Sequence, residues 1–232
     1  ALNENSANWA KAYAGSIALG SGQFCTNPGL LFGIASPELD AFIDQLSKAF
    51  NQLEPHYMLH PNIHSAYEKG KAEFDALATK TGATATPSSP KEGLGHGVIY
   101  KVNASTFKTN PRLHQEVFGP LSLVVECKNV DELTTLIKGL EGQLTGTILG
   151  SETALETNEN LVITLRSRVG RLIFNGVPTG VEVCAAMQHG GPFPASTDER
   201  FTAVGVKAMD RWLRPVSYQN WPDKLLPKAL QN

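Results

Sequence analysis

Leu121-Ser122-Leu123-Val124-Val125-Glu126-Cys127 decides the fold of this chain. Leu123, Val124 and Val125 are continuous rather than alternating with polar residues, as in a strand buried on both faces. Downstream, Asn129 can cap a helix carrying Leu133, Leu136, Ile137 and Leu140. Residues 144–149 read as a strand, 154–169 as a helix with Leu155, Leu161, Val162 and Leu165, and 171–174 as another strand. Strand, helix, strand, helix, strand is the order of a parallel sheet covered by helices. The predicted class is therefore α/β.

Upstream, Ser6 can cap a helix with Trp9, Tyr13 and Ile17 on one side, ended by Gly20 and Gly22. Leu30-Leu31-Phe32-Gly33-Ile34 reads as a short strand. Ser36-Pro37-Glu38 combines a cap, a first-turn proline and an early acid, and opens a helix with an apolar stripe from Leu39 to Leu53. Pro61 opens another helix with Ile63, Tyr67 and Phe74 inside. Residues 83–97 read as a loop or hairpin, and 98–102 as a strand. Residues 176–200 are rich in Gly and Pro without periodicity, and so long a loop in a compact domain is usually functional. A last helix is predicted over 203–213, then a short strand over 216–219 and a tail.

The 232 residues suffice for one large or two small domains. A net charge of −2 gives no electrostatic case for nucleic acid or an anionic membrane. Cys25, Cys127 and Cys184 are far apart, odd in number and without metal-ligand spacing. They point to a reducing compartment, hence the cytoplasm, and not to disulfides or a metal centre.

The chemistry concentrates in Gly22-Gln23-Phe24-Cys25-Thr26-Asn27-Pro28-Gly29. One cysteine on a glycine-flanked turn can be reached by a substrate, and its thiolate is accessible near neutral pH. The bland alternative is a small apolar residue beside a turn. Glu116, before Val117-Phe118-Gly119-Pro120, can hold a ribose hydroxyl, with Phe118 against a planar ring; a carboxylate satisfied by turn amides is the alternative. Asn175 opens the long loop at the carboxyl ends of the strands, where α/β folds place ligands, or it closes a turn. Phe193 rides on a rigid Gly-Pro turn, and Cys184 is a neighbour or packing. His56, His60 and His64 are spaced by four, but Pro61 separates them, so no metal face is expected. Gly93-Leu94-Gly95-His96-Gly97 lacks the spacing of a phosphate loop.

Gly22-Gln23-Phe24-Cys25, Glu116-Val117-Phe118-Gly119-Pro120 and Arg171-Leu172-Ile173-Phe174-Asn175 followed by Pro192-Phe193 resemble, in order and separation, three motifs of the aldehyde dehydrogenase superfamily. The wording around Cys25, Asn175 and Gly190 is similar to a branch of 2-oxoglutarate semialdehyde (2,5-dioxovalerate) and other NADP-dependent bacterial aldehyde dehydrogenases.

The resemblance implies a three-layer catalytic domain over 1–213 and an oligomerisation strand and tail over 214–232. It implies Cys25 as the nucleophile, its backbone N–H as half of an oxyanion hole, and a thiohemiacetal then thioester path to the acid. Glu116 and Phe118 would hold NADP or NAD, while Phe24, Thr26, Asn175 and Phe193 would line the aldehyde pocket. The family's cofactor domain, water-activating glutamate and oxyanion asparagine are expected upstream, so the chain is expected to be part of a longer homo-oligomeric enzyme, a dimer or tetramer. Alone it should expose apolar surface and associate. Two other functions compete: an inert folded fragment used only in association, and a cysteine hydrolase. The latter needs a histidine near Cys25, and none occupies an obvious partner motif, His189 being left open.

Overall fold

The computed structural model describes residues 2–86 and 92–232. In chain order the elements are α1 (Leu2–Ala18), β1 (Leu30–Ile34), α2 (Pro37–Asn51), β2 (His56–Tyr57), α3 (Pro61–Asp75), β3 (Thr79–Ala83), β4 (Leu94–Gly95), β5 (Val98–Asn103), α4 (Ala104–Thr109), β6 (Leu121–Cys127), α5 (Val130–Gly139), β7 (Gln143–Ile148), α6 (Glu152–Thr157), α7 (Glu159–Arg166) and β8 (Val169–Phe174). The caps explain the boundaries. Ser36 accepts from the Leu39 N–H, and Asn129 from the Glu132 N–H, each satisfying a donor the helix cannot. Pro37 and Pro61 sit where the helix needs no N–H. In α1, Asn5 leaves the helical region (φ −149°, ψ 29°), so the regular helix runs from Ser6.

The main sheet has the order β1-β6-β5-β3. β6 is parallel to both neighbours, and β3 closes the edge antiparallel to β5. Side chains alternating along β5 and β6 feed two cores. Val98, Tyr100, Val102, Leu123 and Val125 pack with Tyr67 and Phe74 of α3, Phe107 of α4 and Leu136 of α5. Ile99 and Val124 pack on the other side, with Tyr13 and Ile17 of α1 and Leu46 and Phe50 of α2. This makes three layers, as expected. Leu46, Phe50 and Leu123 are fully buried, each contributing about 1.5–3 kcal/mol. No helix among the described residues is long and apolar enough to cross a membrane.

Three expectations change. The strands after residue 121 do not share one sheet: β7 and β8 form their own parallel pair, while β6 joins β1 and β5. The helix predicted over 154–169 is two. Asn158 breaks it at φ −118°, ψ 41°, its side-chain amide donating back to the Ala154 carbonyl, the local competition that makes asparagine a poor helix interior. The predicted last helix shrinks to a 3₁₀ turn, Val206–Trp212, behind Gly205 at φ +91°. At three residues per turn Val206, Met209 and Trp212 align in one stripe, and all three are exposed. Residues 216–219 pair with no strand of their own chain among the described residues. The loop or hairpin expected over 83–97 contains the end of β3 and all of β4; residues 87–91 lie outside the described residues.

Candidate active site

Cys25 is presented by a short reversal after α1. Gly20, Ser21 and Gly22 all have left-handed backbone, φ +55°, +56° and +66°. Glycine adopts this freely, whereas Ser21 costs about 1–2 kcal/mol. Buried Ser21 offsets the strain by donating its hydroxyl to the His56 carbonyl at 2.7 Å. Gln23 ties the same loop on both sides, donating to Gly20 O at 2.8 Å and accepting from the Leu59 N–H at 2.9 Å. A β-turn follows, closed by the Asn27 N–H on Phe24 O at 3.1 Å, with Cys25 and Thr26 as its central residues. Among the described residues the N–H groups of Cys25 and Thr26 have no backbone partner, and the Cys25 side chain is exposed.

Cys25 Sγ lies 3.2 Å from His189 Nε2. His189 comes from the long loop, and two hydrogen bonds fix its backbone: its N–H donates to Thr202 Oγ1, and the Ala203 N–H donates to its carbonyl, both at 2.8 Å. The start of that loop is fastened to α1 through Tyr13 Oη on Gly176 O at 3.2 Å and the Ser16–Thr179 hydroxyl pair at 2.7 Å. One helix therefore both delivers the cysteine and anchors the loop that brings the histidine. Burial first, then the Arg171 charge, hold the His189 imidazole below its ordinary pKa. It is neutral at neutral pH, and Nε2 can accept the thiol proton.

The second motif touches the first. A side chain at Gly22 would collide with the backbone of Gly119 and Pro120. Ser122 Oγ donates to Pro28 O at 2.7 Å and the Leu123 N–H to Gly29 O at 2.9 Å, so β6 holds the cysteine turn against the 116–120 segment. Glu116 and Phe118 are exposed and line an open groove with Asn62, Ile63, Arg112 and Val117. Arg112 pairs with Glu73, while the Glu116 carboxylate has no ion pair or hydrogen bond among the described residues. The expected alternative, a carboxylate satisfied by turn amides, is not what Glu116 does.

The pocket candidates scatter. Phe24 folds its ring over Gly20, and Thr26 is only 5% exposed, turned into the protein. Asn175 has φ +49°, and its amide clasps Gly150, accepting from the N–H at 3.0 Å and donating to the carbonyl at 2.9 Å. That is the turn-closing role. Phe193 is 79% exposed, on a turn packed against Gly142 before β7, whereas Asn175 follows β8. The two sit at opposite ends of the β7–β8 pair, about 20 Å apart along the strands, so they do not share one small pocket. Cys184 is exposed on the loop and Cys127 buried in β6. Burial, then the Glu132 and Glu126 charges, push the Cys127 thiol up to about 11. His60 accepts from the Asn62 N–H to cap α3, and His64 sits 3.2 Å from Leu94 O. Sequence reasoning did not count His189 as a site residue; the available signal was a histidine beside Gly190-Gly191 within the long loop.

The sequence matches the aldehyde dehydrogenase family over residues 4–210. It is 41% identical over 222 residues to alpha-ketoglutaric semialdehyde dehydrogenase 2 of Azospirillum brasilense, covering 96% of this chain and 42% of that protein. It is 41% identical over 239 residues to alpha-ketoglutaric semialdehyde dehydrogenase of Acinetobacter baylyi, covering 100% of this chain and 44% of that protein. The chain thus spans less than half the length of these relatives. Its fold is similar to proline utilization A of Bdellovibrio bacteriovorus (TM-score 0.67, 21% identity, 81% of this chain and 19% of that one). It is also similar to an NAD-dependent aldehyde dehydrogenase of Burkholderia multivorans (TM-score 0.58, 18% identity, 77% and 34%). With the match running through nearly the whole sequence, the chain belongs to the aldehyde dehydrogenase family.

Proposed function

We propose that this chain carries the covalent half of an aldehyde oxidation, converting 2-oxoglutarate semialdehyde to the carboxylic acid with NADP or NAD. The observation that carries the reading is the 3.2 Å contact between Cys25 Sγ and His189 Nε2, beside the segment bearing Glu116 and Phe118. The relatives named as alpha-ketoglutaric semialdehyde dehydrogenases support the substrate.

In this reading the Cys25 thiol gives its proton to His189 Nε2 as Sγ bonds to the aldehyde carbon. The unpartnered Cys25 N–H meets the oxygen as it becomes negative, which stabilises charge present only after attack. A bound nicotinamide supplies the hydride acceptor, and Glu116 and Phe118 are the residues that would hold its ribose and ring. The acyl group left on Sγ is a thioester. The proton taken by His189 passes to solvent; water then attacks the thioester, giving a proton to the neutral imidazole, and as the C–S bond breaks that proton passes to Sγ and returns the thiol. Residues 214–232, with their exposed apolar side chains, are proposed as an association arm between copies in the cytoplasm.

The test is reduction of NADP⁺ by the protein with 2-oxoglutarate semialdehyde. Turnover that vanishes in Cys25→Ser supports the reading; turnover that survives refutes it. The same Cys–His contact favours a second reading, a cysteine hydrolase. Ester hydrolysis at Cys25 with no nicotinamide dependence, and no aldehyde oxidation, would select it.

A further inference from the structure

We propose that Arg171 is a positioning residue for the Cys25–His189 pair: its guanidinium ties the loop that carries His189 to β8. This rests on the reading of Cys25 as nucleophile. Between residues 176 and 189 the described chain has no helix or strand, so its carbonyls need partners from elsewhere. Arg171 supplies two: Nη2 donates to Pro178 O at 2.7 Å and Nη1 to Gly180 O at 3.1 Å, with Nη1 also 3.9 Å from Met187 Sδ. With Tyr13 on Gly176 and Ser16 on Thr179, the loop is held at four points within five residues. The planar fork of arginine reaches both carbonyls at once, which the single ammonium of lysine does not.

The charge acts on the same pair. The Cys25 thiol, from the turn after α1, meets the His189 ring, and the Arg171 charge, from β8, helps to lower the imidazole pKa after burial. Thr202 and Ala203 meet only its backbone. A cation there disfavours the imidazolium, so Nε2 keeps its lone pair to lower pH.

NMR titration of the His189 ring, assigned with His189→Asn, and alkylation of Cys25 by iodoacetamide at pH 6 test this in Arg171→Gln and Arg171→Lys. Arg171→Gln is expected to raise the His189 midpoint by about half a unit or more and to slow alkylation several-fold. Arg171→Lys is expected to restore the midpoint while alkylation stays slower than wild type. A wild-type midpoint or a wild-type alkylation rate in Arg171→Gln overturns the proposal. If Arg171→Gln does not fold, a wild-type alkylation rate in Arg171→Lys overturns it and a slowed one supports it. Alkylation of wild-type Cys25 no faster than Cys184 would instead sink the nucleophile reading beneath it.

Discussion

His189 Nε2 sits 3.2 Å from Cys25 Sγ across 164 residues of sequence. Nothing local makes this contact. α1 presents the sulfur at one end and holds the start of the histidine's loop through Tyr13 and Ser16. Replacing His189 with Asn keeps a hydrogen-bonding side chain but removes the proton acceptor. Turnover of a thioester on Cys25 is expected to slow by about 10²–10⁴-fold in His189→Asn, the range of a lost general base. An unchanged rate of hydrolysis in a single-turnover experiment would remove His189 from the chemistry.

The same histidine gives a signed pH effect on stability. Burial and Arg171 hold its folded pKa below 6.5. The unfolded chain then takes up the proton first, so stability rises with pH through the window below 6.5 and is flat above it. In urea melts, wild type should lose stability relative to His189→Asn as pH falls through that window. Parallel curves for the two proteins would contradict the neutral, partly buried imidazole.

The three thiols should separate in reactivity. Iodoacetamide at pH 7.5 is expected to label Cys25 first, Cys184 next, and Cys127 only on unfolding, since Cys127 is buried and its thiol is pushed up to about 11. Peptide mapping reads the order directly. Early labelling of Cys127 would mean that the β6 core is open.

Gly22→Ala tests the meeting of the two motifs. The new side chain would need a left-handed backbone and the space held by Gly119 and Pro120. A loss of about 2–4 kcal/mol in denaturant unfolding is expected, with Cys25 labelling perturbed as well. A loss below about 0.5 kcal/mol, the size of an ordinary surface change, would show that the two backbones are not in contact.

Asn175→Ala removes two hydrogen bonds to Gly150 and leaves a residue at positive φ. Stability should fall by about 1–3 kcal/mol while the Cys25 alkylation rate stays that of wild type. A changed rate without a change in stability would return Asn175 to the substrate pocket.

The local physics of the chain was legible. Ser36-Pro37, Asn129 and the unbroken Leu123-Val124-Val125 run specify caps and a two-sided strand without reference to anything distant. The glycine-flanked turn at Cys25 was readable for the same reason. What sequence did not reveal depends on tertiary partners. The division of the strands into two sheets turns on which edges pair, and hydrophobic pattern does not record that. Val206, Met209 and Trp212 have helix-like spacing, but they stay exposed among the described residues, so packing does not enforce an α-helix. Asn175 looked like a ligand residue because of its place after a strand, yet Gly150 takes both ends of its amide. His189 was hidden in a loop whose path is set by Thr202, Tyr13, Ser16 and Arg171 rather than by any periodicity.

The most direct test of the central claim is acid-quenched mass spectrometry after mixing the protein with 2-oxoglutarate semialdehyde and NADP⁺. The account predicts an acyl adduct on the peptide containing Cys25, formed and released more slowly in His189→Asn and absent in Cys25→Ser. Product formation with no adduct on Cys25, or with the adduct on Cys184, would contradict it.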